Sequence, residues 1–134
     1  MPNYNTQVIE EFRQNHGQVG GMFSGMPLLL MTTTGAKSGK KYVLPVAYTT
    51  HGDNYVVLAS KGGAPDNPDW YHNLVAHPDI TIELEDDTFR AQARLAKGDE
   101  REKLFAEHAR QLPAFNDYKA KTTRVIPVFV LTRA

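Results

Sequence analysis

The sequence predicts an α+β domain: an antiparallel sheet of six strands, curled into a small barrel, with helices at the start, middle and near the end. Short apolar runs of strand length follow one another through tight turns, which favours antiparallel pairing. The regular alternation of strands and helices in a doubly wound fold is missing. A chain of 134 residues has the length of one domain, so we assign 1–134 to a single domain, with an N-terminal helix and connection over 1–26.

The N-terminal segment predicts an amphipathic helix over Asn5–Asn15, because Val8, Ile9 and Phe12 recur on one stripe. Four glycines over 16–26 predict an irregular connection. Six strands follow, each an apolar or alternating run bounded by turn residues. They are predicted at Leu28–Thr33, Tyr42–Thr50, Tyr55–Ser60, Ile80–Leu84, Thr88–Ala96 and Val125–Leu131.

Two helices are predicted between the last two strands. Asp99 is a favourable N-cap for a helix that runs to about Leu112, where Pro113 breaks it. A shorter helix over Ala114–Lys121 precedes the closing strand.

The most informative segment, Ser60–Leu74, joins the third strand to the middle helix, which ends near His77. Asn67 is a favoured N-cap, and Pro68 suits the first helical position. The Gly62–Gly63 pair lets backbone approach a flat or anionic ligand closely, with a lysine beside it. Stacking surface and hydrogen-bonding groups come from three helix residues, Trp70, Tyr71 and Asn73. The segment indicates a cofactor site, although such loops also occur as scaffolding and a lone Trp usually lies in a core.

Composition excludes several classes of function. The chain has 15 Lys and Arg residues and 15 Asp and Glu residues, so it has no net positive charge that would attract nucleic acid. We therefore expect no nucleic-acid partner. Without cysteine there is no disulfide framework, thiolate metal site or cysteine nucleophile. The longest apolar run, Pro27–Met31, is far shorter than a membrane span, and the first residues lack a signal-peptide pattern. We therefore expect a cytoplasmic protein, with peripheral membrane contact left open.

Familiar catalytic signatures fail on spacing. Gly35 and Gly39 are too close for a phosphate loop, and no G-x-G-x-x-G opens a helix. Ser24 is not in a nucleophile elbow. The five histidines show no metal-binding pair, so no metal is expected.

A basic turn is the second informative site. Three lysines and one hydroxyl surround two glycines at a predicted hairpin tip, and together they suit an anion. These residues are Lys37, Ser38, Lys40 and Lys41. A solvated basic turn is the alternative if the feature stands alone.

These motifs form an ordered set that closely resembles the deazaflavin-dependent nitroreductase family of the flavin/deazaflavin oxidoreductase superfamily. The resemblance covers about Leu28–Leu131. The blocks that carry it are Thr32–Gly39, Pro45, Ala59–Gly63, Asn67–Leu74 and Arg124–Pro127.

The resemblance implies a split β-barrel of the FMN-binding type that binds coenzyme F420, whose reduced deazaflavin gives a hydride to a quinone, enone or nitroaromatic. By that similarity the lysine turn holds the cofactor's phosphate and acidic tail, and the glycine loop and middle helix hold its ring. The implied cofactor-binding residues are Lys37, Ser38, Lys40, Lys41, Pro45, Ala59, Ser60, Lys61, Gly62, Gly63, Asn67, Trp70, Tyr71 and Asn73. Phe115 and Tyr118 are implied at the mouth of the substrate pocket. Two interpretations of Tyr118 stay open: it is the catalytic residue whose phenol hydrogen-bonds the acceptor oxygen, or it only covers the edge of the barrel.

The chain departs from the family pattern at two places. Relatives often carry basic residues where this chain has Ala36 and Tyr42, and Lys40 and Lys41 are expected to substitute for them. Relatives that reduce bulky nitroimidazoles carry several tyrosines near the substrate, whereas this chain keeps only Tyr118 there.

Two other functions fit the same sequence. The barrel could bind FMN, as pyridoxamine-oxidase-like relatives do, or serve as a carrier of the deazaflavin or another ligand without catalysis. The expected partner is a small-molecule acceptor, and the chain is expected to be a monomer or a homodimer.

Overall fold

The structure is a computed structural model that describes residues 4–15, 27–59, 69–85, 87–120 and 126–134, apart from the side chains of 4–6, 114 and 118. This part of the chain forms four helices and seven strands. The helices are α1 (Tyr4–Gln14), α2 (Asp69–Ala76), α3 (Gly98–Gln111) and α4 (Ala114–Ala120). The strands are β1 (Leu28–Thr34), β2 (Lys41–Ala47), β3 (Thr49–His51), β4 (Asn54–Leu58), β5 (Asp79–Leu84), β6 (Asp87–Leu95) and β7 (Val128–Arg133).

The seven strands form one sheet in the order β2-β1-β5-β6-β7-β4-β3, and every neighbouring pair is antiparallel. The predicted number of six strands is wrong, because the expected strand Tyr42–Thr50 divides at Tyr48. Ala47 still pairs with Leu28 in β1, whereas Thr49 pairs with Val56 in β4. Tyr48 itself donates its backbone N–H to the carbonyl oxygen of Pro27 at 3.1 Å. The apolar pattern continues through this change of partner, so the sequence does not reveal it.

The division at Tyr48 explains why the sheet curls. β2 and β3 lie at opposite ends of the strand order, yet only Tyr48 separates them in the chain. The two ends of the sheet must therefore meet, which confirms the predicted curled antiparallel sheet.

The strands place apolar residues on both faces of the sheet. Leu29 and Met31 of β1 belong to an inner cluster with Phe129, whereas Leu28 and Leu30 pack with Val8 and Phe12 of α1. This confirms the apolar stripe predicted for the first helix. A third cluster lies where α3 and α4 cover β4 and β7, and it contains two phenylalanine rings, Phe105 and Phe115.

The predicted N-cap of α3 is wrong. The helix begins at Gly98, two residues earlier than an Asp99 cap implies, and the N-cap is Lys97, which makes no side-chain capping hydrogen bond. Asp99 lies in the first turn instead, where its charge is favourable at the positive end of the helix dipole. The predicted cap of α2 at Asn67–Pro68 lies outside the described residues. None of the helices in the described ranges is both long and apolar enough to cross a membrane.

Candidate functional site

A cavity of about 640 Å³ opens beside the turn that joins β1 to β2. Its walls come from β1, the turn, β2 and the start of α2, with one side chain from α1. The described lining residues are Ile9, Thr33, Gly35, Ala36, Lys37, Ser38, Tyr42, Val43, Leu44, Asp69, Trp70, His72 and Asn73. One wall is apolar and the rim carries charged and hydroxyl groups, a composition that suits a planar ligand with an anionic end.

The turn over 35–40 is closed by its own backbone. The Gly35 N–H donates to the Lys40 carbonyl oxygen at 2.7 Å, and the Gly39 N–H donates to the Gly35 carbonyl oxygen at 3.0 Å. Gly39 has a φ of 71°, a backbone conformation that residues with a side chain rarely adopt. The lysine side chains therefore project from a compact turn rather than from an open loop.

Gly35 is needed because two side chains pack against its Cα. A Cβ at this position would lie 2.5 Å from Ser38 Oγ and 2.9 Å from Tyr42 Cε2. Ser38 Oγ in turn accepts the Lys40 N–H at 3.2 Å and lies 3.2 Å from the Tyr42 hydroxyl oxygen. The glycine thus allows a serine and a tyrosine to meet at the rim of the cavity.

Helix α2 is tied to this turn. The Ala36 N–H donates to Asn73 Oδ1 at 2.9 Å. Trp70, one turn earlier in the helix, lines the cavity, and its ring centroid lies 5.9 Å from that of Phe129 in the core. The hydrogen bond and the ring packing fix the position of α2 relative to the lysine turn.

Thr33 is the buried polar residue of the cavity wall. It is 0% exposed, and its Oγ1 has no hydrogen-bond partner within the described part of the chain. Thr33 pairs directly with Tyr42 across β1 and β2, so both side chains lie on the same face of the sheet. A buried hydroxyl without a partner is unfavourable.

Four of the predicted cofactor-binding residues come together at the cavity. They are Lys37, Ser38, Trp70 and Asn73. Two more, Lys40 at the end of the turn and Lys41 at the start of β2, are exposed but are not among the described lining residues. The Lys41 ammonium instead donates to Thr34 Oγ1 at 2.6 Å.

Three other predicted cofactor residues are described by the structure but are not among the described lining residues of the cavity. Pro45 is half-buried in β2 opposite Leu30, and Ala59 is buried, with its N–H donating to the Pro127 carbonyl oxygen at 2.9 Å. The Tyr71 ring packs on Phe129, with centroids 5.8 Å apart. The remaining predicted cofactor residues, Ser60, Lys61, Gly62, Gly63 and Asn67, lie outside the described residues.

The structure does not bring Phe115 to this cavity. Phe115 is buried in the cluster under α3 and α4, and its ring meets the His108 ring edge-on with centroids 4.5 Å apart. Tyr118 lies on α4, and its side chain is outside the described part of the structure. The predicted contacts of these two residues with substrate stay predictions.

His108 is a buried polar residue away from the cavity. Its Nδ1 lies 2.9 Å from Thr49 Oγ1, and its Nε2 has no partner among the described residues. Burial lowers the pKa of His108 to about 4, so the ring is neutral at pH 7.

Sequence reasoning missed several residues of the cavity. Ile9, Val43 and Leu44 belong to a predicted helix and a predicted strand, where they are ordinary apolar residues, and Asp69 lies in the first turn of α2. Side chains alternate between the two faces of a strand, so Thr33 shares a face with the core residues Leu29 and Met31. This was the available signal that Thr33 is buried. The pairing of Thr33 with Tyr42 depends on register, which the turn sets. In the described ranges, no group of three or more metal-ligating side chains is found.

Comparison with known proteins identifies a family model that matches residues 5–133, and its description is F420H(2)-dependent quinone reductase. An F420H(2)-dependent quinone reductase of Mycobacterium tuberculosis is 36% identical over 131 residues, covering 91% of this chain and 85% of that protein.

Solved structures are similar as well. One described as an F420-H2 dependent reductase, FDR-A, is 40% identical with a TM-score of 0.72, and the match covers 78% of this chain and 93% of that one. Another, described as a domain-swapped dimer, is 35% identical with a TM-score of 0.74, covering 93% and 95%. The likeness to FDR-A confirms the split-barrel fold predicted from the sequence, with seven strands in place of six.

Proposed function

Since the chain belongs to the F420H(2)-dependent quinone reductase family, we propose that the cavity beside the lysine turn is where it holds coenzyme F420. The protein is an oxidoreductase that passes a hydride from reduced F420 to a quinone-type acceptor. The observation that supports this location is the convergence of Lys37, Ser38, Trp70 and Asn73 on one cavity. Enones and nitroaromatics, which are also electron-poor, are proposed as further acceptors.

The residues present fit this cofactor. When bound, F420 supplies the hydride from C5 of its deazaflavin ring. Lys37 would offset the charge of the phosphate and acidic tail, and the Ser38 hydroxyl would donate to a phosphate oxygen. The absence of a Cβ at Gly35 leaves room for the Ser38 hydroxyl close to the backbone.

The other walls would hold the flat part of the ligand. Trp70 offers an aromatic surface, and Val43 and Leu44 offer an apolar wall that excludes water. The amides of Ser60, Lys61 and Gly62 stay the proposed contact for the polar edge of the ring, whereas the Ala59 N–H already donates to the Pro127 carbonyl oxygen. In this proposal the protein acts mainly by orientation and electrostatics.

A quinone that accepts a hydride must also take up one proton to become a hydroquinone. Tyr118 remains our candidate for the group that hydrogen-bonds the acceptor oxygen as negative charge develops there. Tyr118→Phe keeps the ring and removes the hydroxyl. We expect slower quinone reduction with unchanged F420 affinity and thermal midpoint. Unchanged turnover with quinone, enone and nitro acceptors would assign the proton to water.

The decisive experiment is a parallel titration with oxidised F420 and FMN, followed by oxidation of reduced F420 with a series of quinones. We expect F420 to bind at least about tenfold more tightly than FMN, a difference of roughly 1.4 kcal/mol. Equal or tighter binding of FMN would contradict the cofactor assignment. Tight F420 binding without turnover of any quinone, enone or nitroaromatic would instead indicate a carrier.

A further inference from the structure

The Tyr42 hydroxyl lies where it can control the only proton of the Ser38 hydroxyl. The two oxygens are 3.2 Å apart, and Ser38 Oγ also accepts the Lys40 N–H at 3.2 Å. A serine hydroxyl accepts up to two hydrogen bonds and donates one. A phenol is a stronger donor than an alcohol, so the Tyr42 O–H is the natural donor of the pair. With both acceptor positions occupied, Ser38 is left to donate its own proton to a ligand.

The position of Tyr42 is built into the hairpin rather than accidental. Its backbone is paired with Thr33 across β1 and β2, and its ring rests on Gly35, where a Cβ would come within 2.9 Å of Cε2. Tyr42 is nevertheless 46% exposed at the rim of the cavity. A large aromatic side chain held at the rim with its hydroxyl on Ser38 has no evident role in core packing.

We propose that Tyr42 is a positioning residue for the anionic group of the cofactor: it donates to Ser38 and so directs the Ser38 proton toward a phosphate oxygen. This inference rests on the proposed function of the cavity. In this arrangement Tyr42 donates to Ser38, and Ser38 donates to the phosphate. These two uncharged hydrogen bonds give specificity for a phosphate, and the lysines supply the positive charge. No covalent bond is made or broken, and the ligand only gains one correctly oriented hydrogen bond.

The test is the affinity of Tyr42→Phe for two probes, oxidised F420 and a deazaflavin that lacks the phosphate and acidic tail. We expect F420 to bind roughly fivefold more weakly, the worth of about one hydrogen bond, and the phosphate-free probe to bind as it does to the wild type. Because the lost group is uncharged, the factor should be nearly the same at low and high salt. Tyr55→Phe, a half-buried tyrosine of β4 outside the cavity lining, is the matched control and should change neither affinity.

A double-mutant cycle with Ser38→Ala separates positioning from direct contact. If Tyr42 acts through Ser38, Tyr42→Phe should have no further effect on F420 affinity in the Ser38→Ala background. An undiminished effect there, equal weakening of both probes, or wild-type F420 affinity of Tyr42→Phe would each overturn the proposal. Failure of the wild-type protein to bind F420 would instead overturn the proposed function. The ligand-free thermal midpoint of each variant checks that the fold is retained.

Discussion

At the scale of single residues, two buried threonines of the sheet differ in what their hydroxyls contact. Thr33 has no partner for its Oγ1 among the described residues, whereas Thr49 Oγ1 lies 2.9 Å from His108 Nδ1. Both side chains are almost completely buried. The same substitution, Thr to Val, therefore removes an unsatisfied polar atom at one position and a satisfied one at the other.

We predict opposite effects on stability for the two substitutions. Thr33→Val should leave the free energy of unfolding unchanged or raise it by up to about 1 kcal/mol, and Thr49→Val should lower it by roughly 1–3 kcal/mol because His108 Nδ1 loses its partner. Urea unfolding of the ligand-free protein measures both. A clear loss of stability in Thr33→Val would show that its hydroxyl is satisfied within the fold.

His108 makes stability depend on pH. An unfolded histidine titrates near 6.5, whereas burial lowers the pKa of His108 in the folded chain to about 4. Between these values only the unfolded chain binds the proton, so stability falls as pH drops from about 7 to 4. The loss reaches up to about 3 kcal/mol, since each tenfold change in proton affinity is worth about 1.4 kcal/mol.

The check is urea unfolding at pH 7 and pH 4.5. His108→Gln should be less stable than the wild type at pH 7 but should lose less stability on acidification. His51→Gln, which alters an exposed histidine of β3, should keep the wild-type difference between the two pH values. The assignment of this acid sensitivity to His108 fails if His108→Gln retains that difference in full.

At the scale of elements, the lysine turn and α2 act as one unit. Asn73 Oδ1 accepts the Ala36 N–H at 2.9 Å, which is a side-chain bond between helix and turn near the cavity. Asn73→Ala should speed amide exchange at Ala36 and weaken F420 binding about fivefold, the cost of roughly one hydrogen bond. Exchange measured by NMR and the F420 titration report these effects. Asn116→Ala, at an exposed position of α4, is the control, and unchanged Ala36 exchange in Asn73→Ala would refute the coupling.

Element type was predictable from sequence, but exact limits and partners were not. The apolar stripe of α1 and the alternation of β5 and β6 identify those elements directly. Tyr48 is different: it suits a strand as well as its neighbours do, and the break there arises from pairing with two different strands. Asp99 is a good cap by residue type, yet the helix begins at Gly98 and its cap is Lys97.

At the scale of the whole molecule, charge is balanced, with 15 basic and 15 acidic residues, so attraction of an anionic cofactor must be local. Lys37→Ala should weaken F420 binding roughly fivefold at low salt, and the loss should shrink at high salt as screening increases. Titrations at two ionic strengths test this. Lys103→Ala, on α3 and outside the cavity lining, is the matched control. Normal low-salt affinity in Lys37→Ala would place the phosphate elsewhere.

The candidate site was predictable only in part, because some of its residues come together only in the tertiary structure. Lys37, Ser38, Trp70 and Asn73 carry recognisable chemistry in short local patterns, and the fold brings them together. Ile9 and Leu44 are ordinary apolar residues locally and become cavity walls only because α1 and β2 meet there. Such residues follow from the tertiary arrangement, which periodicity alone does not specify.

The single residue between the two ends of the sheet also limits how the cavity can open. β2 forms a wall of the cavity, and through Tyr48 it is covalently continuous with β3 on the far side of the strand order. Outward movement of β2 would separate β3 from β4. We therefore expect the β2 wall of the cavity to stay in place. The helices α1 and α2, which supply Ile9 and Trp70, are joined to the sheet mainly by side chains. Among these elements, any widening of the cavity therefore requires a helix to move, and its rate will follow the helices' docking contacts rather than the strength of the sheet.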